Sequence, residues 1–168
     1  MSEPSSGSAH WKAWLVRPAA SSTAKRLALF AAGMTVQAAF GVLALLATRL
    51  GFRWWPAGSY TWVAALVAVA GALVTVFLCR GLAAAGLPVP LVLMAWYAGR
   101  IAGALASAVF AGVGFDAALI ARASFGLLLI DRGRLALGAP ALGELVPALA
   151  FAVFGCWWGV RARGRREQ

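Results

Sequence analysis

The chain has 168 residues, of which 62% are hydrophobic and 12% are charged, and its formal net charge is +10. Soluble domains contain about 45–50% apolar and about 25% charged residues, so this chain cannot cover its surface with polar groups in water. The composition therefore indicates a membrane protein. It excludes a conventional soluble nucleic-acid-binding domain, because the basic residues lie at the chain ends and beside apolar runs and form no basic soluble surface.

The first 26 residues are predicted to lie outside the membrane core. Residues 1–9 are small and polar, which favours a disordered tail. The next segment places Trp11, Trp14 and Leu15 on one helical face beside Lys12. This arrangement of aromatic and basic residues is typical of a short helix at the membrane surface. We expect its cations to contact anionic lipid headgroups.

Residues 27–160 are predicted to form an all-α, polytopic bundle of transmembrane helices. Apolar runs separated by turn-forming residues define four spans, at about 27–48, 61–79, 89–112 and 145–160. Residues 161–168 follow as a basic tail. The length suits one helical domain without a separate soluble module.

Small and polar residues recur at a spacing of four on the first two spans. On the first span Gln37, the only amide in the apolar part of the chain, shares a stripe with Gly33 and Gly41. We expect Gln37 to face inward and to find a partner, for which the third span is the candidate. On the second span a ridge of small residues is formed by Ala64, Ala68 and Ala72.

The third span carries the clearest helix-packing signal in the chain. Gly99, Gly103, Ser107 and Ala111 follow one another at a spacing of four. In lipid, helices associate mainly through close packing, and small residues let two backbones approach. We therefore predict that this ridge contacts another helix.

Arg100 lies near the middle of the same span. A charge there costs about 2.5–3.5 kcal/mol on insertion scales, so it normally faces protein or water. In a functional interpretation Arg100 pairs with an anionic substrate, a lipid phosphate or a carboxylate of a partner subunit. In a structural interpretation it is satisfied by backbone carbonyls and Gln37, or it lies closer to the interface than its position suggests.

Residues 117–130 form an apolar run too short to cross the membrane as a helix. The run contains Arg122 and is bracketed by Asp116 and Asp131. We predict a short interfacial helix, and keep a re-entrant helix as the alternative because transporters place binding sites at such half-helices. If this segment did cross, the chain would have five spans.

Both chain ends are predicted to be cytoplasmic, because an excess of Lys and Arg marks cytoplasmic flanks. Two ends on one side require an even number of spans, and four fits. Arg49, Arg53, Arg132 and Arg134 would then lie outside, against the trend. The terminal basic residues are Lys12, Arg17, Lys25, Arg26, Arg161, Arg163, Arg165 and Arg166.

Asp116 and Asp131 are also the candidates for an intramembrane hydrolase. A catalytic carboxylate dyad needs two carboxyl groups within a few ångströms of each other. On one continuous helix, residues fifteen positions apart lie about 22 Å from each other, so only a bend would bring the two together. In the structural alternative, Asp116 caps a helix and Asp131 pairs with a neighbouring arginine.

No metal or cofactor is expected from the sequence. His10 is the single histidine, and Cys79 and Cys156 are far apart without a CxxC motif. Zinc, bis-histidine haem and Ser-His catalysis therefore lack their ligands or bases, and a disulfide framework is not predicted. The two cysteines are expected to be small apolar residues buried in helices.

Three functional hypotheses follow. The first is a non-enzymatic accessory or assembly subunit of a membrane complex, which binds other membrane subunits or itself. The second is a small oligomeric transporter or channel for an anionic or amphipathic solute, in which Arg100 and Gln37 line the path. The third is the hydrolase that uses Asp116 and Asp131. In each case we expect a multi-pass protein of a bacterial cell membrane.

Overall fold

Four long helices make up most of the computed structural model, which describes residues 23–54, 60–110, 112, 128–131, 134–137 and 142–165. The helices are α1 (Thr23–Trp54), α2 (Tyr60–Ala84), α3 (Val89–Phe110) and α4 (Leu142–Gly164). Each contains a stretch of at least 20 residues that is long and apolar enough to cross a membrane. The prediction of four transmembrane helices is confirmed in length and composition.

α1, α2 and α4 extend beyond the predicted spans. α1 has 32 residues and measures about 48 Å at 1.5 Å per residue, so it is longer than a hydrocarbon core of about 30 Å. It continues through residues 49–54, which the sequence assigned to a loop. α4 begins at Leu142, which places Pro147 in its second turn.

The region between α3 and α4 contains a short antiparallel hairpin. Its strands are β1 (Leu128–Asp131) and β2 (Arg134–Leu137), with Asp131 opposite Arg134 at the closed end. The predicted short helix at residues 117–130 is not shown. Residues 117–127 lie outside the described part of the chain, and the last three residues of the prediction belong to a strand. A run of Leu and Ile suits a strand as well as a helix, and periodicity alone does not separate the two.

The helices are arranged as two parallel pairs. α1 packs along α3, α2 packs along α4, and the pairs are joined mainly through α1 and α2. The main hydrophobic core lies where α2 turns into α3, and the start of α1 and the end of α4 reach the same end of the bundle. The core residues are Cys79, Leu82, Ala83, Leu87, Val89, Val92, Trp96, Ala152 and Cys156, with Leu29 and Val160 packed against them.

The turn between α2 and α3 is closed by a glycine. Gly86 has φ of 95°, a left-handed conformation that favours glycine. Its N–H donates to the Ala83 carbonyl, and the Leu87 N–H donates to the Leu82 carbonyl. These two hydrogen bonds form a Schellman motif, and the buried Leu82 and Leu87 provide its apolar contact.

The opposite end of the bundle is more open. None of the described side chains of α2 between Trp62 and Val74 is buried, and none of those of α4 between Leu145 and Phe151 is. Large apolar side chains on these segments face outward, as expected in lipid. The first halves of α2 and α4 therefore make few inward contacts.

Candidate functional site

The α1–α3 interface brings two glycine stripes together. A Cβ built on Gly99 would lie 2.7 Å from the carbonyl oxygen of Met34, and one built on Gly103 would lie 3.0 Å from that of Ala38. A Cβ on Gly41 would lie 3.2 Å from the Cα of Gly103. Such distances leave no room for side chains, so the two backbones are in direct contact.

Gln37 is held inside this interface. Its side chain is only 6% exposed, and its Cβ lies 2.7 Å from where a Cβ on Gly99 would be. Its Oε1 is buried without a hydrogen-bond partner. An unsatisfied buried acceptor typically costs about 1–3 kcal/mol, and the bilayer core offers no water to reduce that cost.

Arg100 follows Gly99 directly and is the twelfth of the 22 residues of α3. Its side chain is half-buried, and its Cζ lies 5.5 Å from the centre of the Trp96 ring, one turn earlier. A guanidinium within about 6 Å of an indole is attracted by the negative face of the ring. Trp96 is buried and donates its Nε1–H to Thr75 Oγ1 of α2 at 3.4 Å. The charge therefore lies at mid-helix against an anchored aromatic ring.

Of the other two residues of the ridge on α3, one lies within the described part of the chain. Ser107 is 2% exposed, and its Oγ has no hydrogen-bond partner. Ala111 lies outside the described residues. Gln37 on α1 and Ser107 on α3 thus each bury one polar atom that has no hydrogen-bond partner.

The structure describes only one of the two predicted carboxylates. Asp116 and Arg122 lie outside the described residues. Asp131 is on β1, where its backbone partner is Arg134. The hydrolase hypothesis therefore stays a prediction.

The α2–α4 interface is a second close contact, which the sequence analysis did not identify. A Cβ on Gly155 would lie 3.1 Å from the Cβ of Cys79, and one on Gly159 would collide with the backbone of Arg80. The Gly-x-x-x-Gly spacing of residues 155 and 159 is the signal that could have revealed it.

Aromatic stacking reinforces the same interface. The Cζ of Arg80 on α2 lies 3.9 Å from the ring centre of Trp158 on α4, and the Phe77 ring also approaches Trp158, at 6.2 Å between centroids. Further along α4, Arg161 lies 5.3 Å from the ring centre of Trp157. Trp158 thus contacts α2 in addition to lying near the helix end.

Comparisons with protein-family models, curated proteins and solved structures find no match for this chain.

We expect Gly99→Ala to destabilise the bundle. The added methyl would have to displace the Met34 backbone or Gln37, and overpacking of this kind costs about 1–3 kcal/mol. The measurement is the free energy of unfolding of the purified protein in mixed micelles, titrated with denaturing detergent.

Gly81→Ala is the matched control. A Cβ on Gly81 meets nothing within 4 Å, so this change should be neutral or stabilising by up to about 1 kcal/mol, because alanine is the better helix former. Equal stability of the Gly99→Ala variant and the wild type would refute the backbone contact between α1 and α3.

Proposed function

We propose that this chain is a non-enzymatic integral membrane protein that serves as an accessory or assembly subunit of a larger membrane complex. It binds other membrane subunits, or further copies of itself, through the first half of α2. The observation that carries the proposal is a ridge of small residues on α2 that is exposed at Ala68.

This ridge consists of Ala64, Ala68 and Ala72. Ala68 is exposed and Ala72 is half-buried, whereas the side chain of Ala64 is outside the described set. On the opposite side of the helix, Leu66 is 69% exposed. Because small residues let a second backbone approach and bulky ones hold it away, the alanine side of α2 is suited to a helix and the Leu66 side to lipid chains.

The internal contacts of the bundle support this assignment. α1 and α3 meet through Gly99 and Gly103, and α2 meets α4 through Gly155 and Gly159. None of the atoms closest to these four glycines belongs to an alanine of the ridge. A small-residue surface that is exposed at Ala68 favours a partner helix, since lipid gains little from such a ridge.

A photoreactive diazirine amino acid at position 68 should form a discrete protein–protein adduct in native membranes. The same group at position 66, on the other side of α2, is the control and should label lipid. The adducts are separated by denaturing electrophoresis and identified by mass spectrometry. Equal, lipid-only labelling at both positions would count decisively against the proposal.

We place this subunit in a bacterial cell membrane with both chain ends on the cytoplasmic side. Lys25 and Arg26 stand at the start of α1, and Arg161 and Arg163 lie in the last turns of α4. These two helix ends meet at the same end of the bundle, and concentrated Lys and Arg favour the cytoplasm.

Reporter fusions test this orientation. A fusion after residue 168 should be active with a cytoplasmic reporter and inactive with a periplasmic one, and a fusion in the segment between α1 and α2 should give the reverse. A periplasmic C-terminus would overturn the assigned sidedness.

A second candidate, a small oligomeric transporter for an anionic or amphipathic solute, is favoured by the mid-helix charge of Arg100, which is half-buried on α3. Since α1 and α3 touch backbone to backbone, the path would not run between them there. It would follow the side of α3 that carries Arg100, between protomers.

In that case Arg100→Leu should leave the protein in the membrane but abolish anion flux into proteoliposomes, because the solute loses its counter-charge. Arg161→Leu, which removes a cation at the end of α4, should preserve flux and serves as the control. Normal flux with Arg100→Leu, or no flux in the wild type, would eliminate the transporter.

A further inference from the structure

Cys79 and Cys156 face each other across the α2–α4 interface. Both are fully buried free cysteines of the same core cluster, and each is the neighbouring titratable group of the other. Gly155 brings the α4 backbone against Cys79, which keeps the pair in contact. Two thiols from different helices thus lie close together in an apolar part of the bundle.

The residues around these thiols limit which metal ions they can bind. Among the described residues, no group of three or more His, Cys, Asp or Glu is placed to hold a metal ion. Structural zinc takes four ligands in a tetrahedron, so two sulfur atoms in an apolar wall do not suit it. Soft thiolates select soft cations, and the d10 ions Hg(II), Ag(I) and Cu(I) accept two sulfur ligands in a line.

Charge decides among these ions. An uncompensated charge in an apolar interior is costly, and Hg(II) with two thiolates is neutral. The Ag(I) and Cu(I) complexes each carry one negative charge, for which the guanidinium of Arg80, next to Cys79 in the chain, is the nearest cation in the sequence. The interior therefore favours Hg(II) and tolerates the monovalent ions less well.

We propose that Cys79 and Cys156 form a two-coordinate dithiolate site for a soft d10 cation, with Hg(II) as the best-matched ion. Loading occurs by ligand exchange from a neutral Hg(II) complex of two monothiols. Two Hg–S bonds to the monothiols break and two Hg–S bonds to the cysteines form. Each cysteine proton passes to the departing thiolate, so no oxidation state changes and no net charge enters the bundle.

The test uses the full chain in lipid nanodiscs with excess glutathione and one equivalent of Hg(II). We expect one Hg(II) per chain by native mass spectrometry and protection of both thiols from maleimide after unfolding. Because the second Hg–S bond is intramolecular, Cys79→Ala and Cys156→Ala should each weaken retention at least about 100-fold.

A matched variant keeps two thiols but separates them. Cys156→Ala combined with Ala152→Cys moves the α4 thiol one turn along the same buried face, about 6 Å away, and should lose retention while keeping the wild-type melting temperature. If that variant unfolds, the single alanine variants provide the comparison.

Three outcomes would overturn the site. They are retention of Hg(II) by the separated pair, an adduct in which the bound Hg(II) keeps a glutathione, and loss of about 2 Da without bound metal, which would mean a disulfide. The site does not depend on any partner of α2, so its failure would leave the proposed subunit role untouched.

Discussion

Direct contact between helix backbones is the constraint on which this bundle depends. Lipid chains are as apolar as leucine, so helices in a bilayer gain little from burying side chains and must gain from dispersion at short range. Gly99 and Gly103 supply that contact between α1 and α3, and Gly155 and Gly159 supply it between α2 and α4. The two helices of each pair run parallel. The contacts therefore advance by four residues along both helices of a pair.

The two pairs then determine where the core can form. They converge where the tight turn at Gly86 holds α2 against α3, and there Trp96 reaches from α3 to Thr75 on α2. Farther from this turn, α1 and α3 remain packed while the first halves of α2 and α4 turn their side chains outward. The open end is therefore a consequence of joining two tight pairs at one end, and it is where the alanine ridge of α2 lies.

Sequence periodicity was sufficient for features that repeat along one helix. It located four apolar helices, and it singled out the Gly99 ridge and the inward side of Gln37, which the structure places at one interface. It could not show that Cys79 and Cys156 meet, because that depends on the register of two helices far apart in the chain. It also missed the strand at Leu128–Asp131, since a short apolar run has no period that separates strand from helix.

The polar atoms distinguish the two pairs. Across α2 and α4, the guanidinium of Arg80 lies over the indole ring of Trp158. Across α1 and α3, Gln37 Oε1 and Ser107 Oγ are buried without partners, at a typical cost of about 1–3 kcal/mol each. Apolar side chains would avoid that cost, and polar groups kept inside a membrane usually mark function. The α1–α3 pair therefore retains buried polar atoms that its own packing does not require, whereas the surface proposed for a partner helix lies on the other pair, on α2.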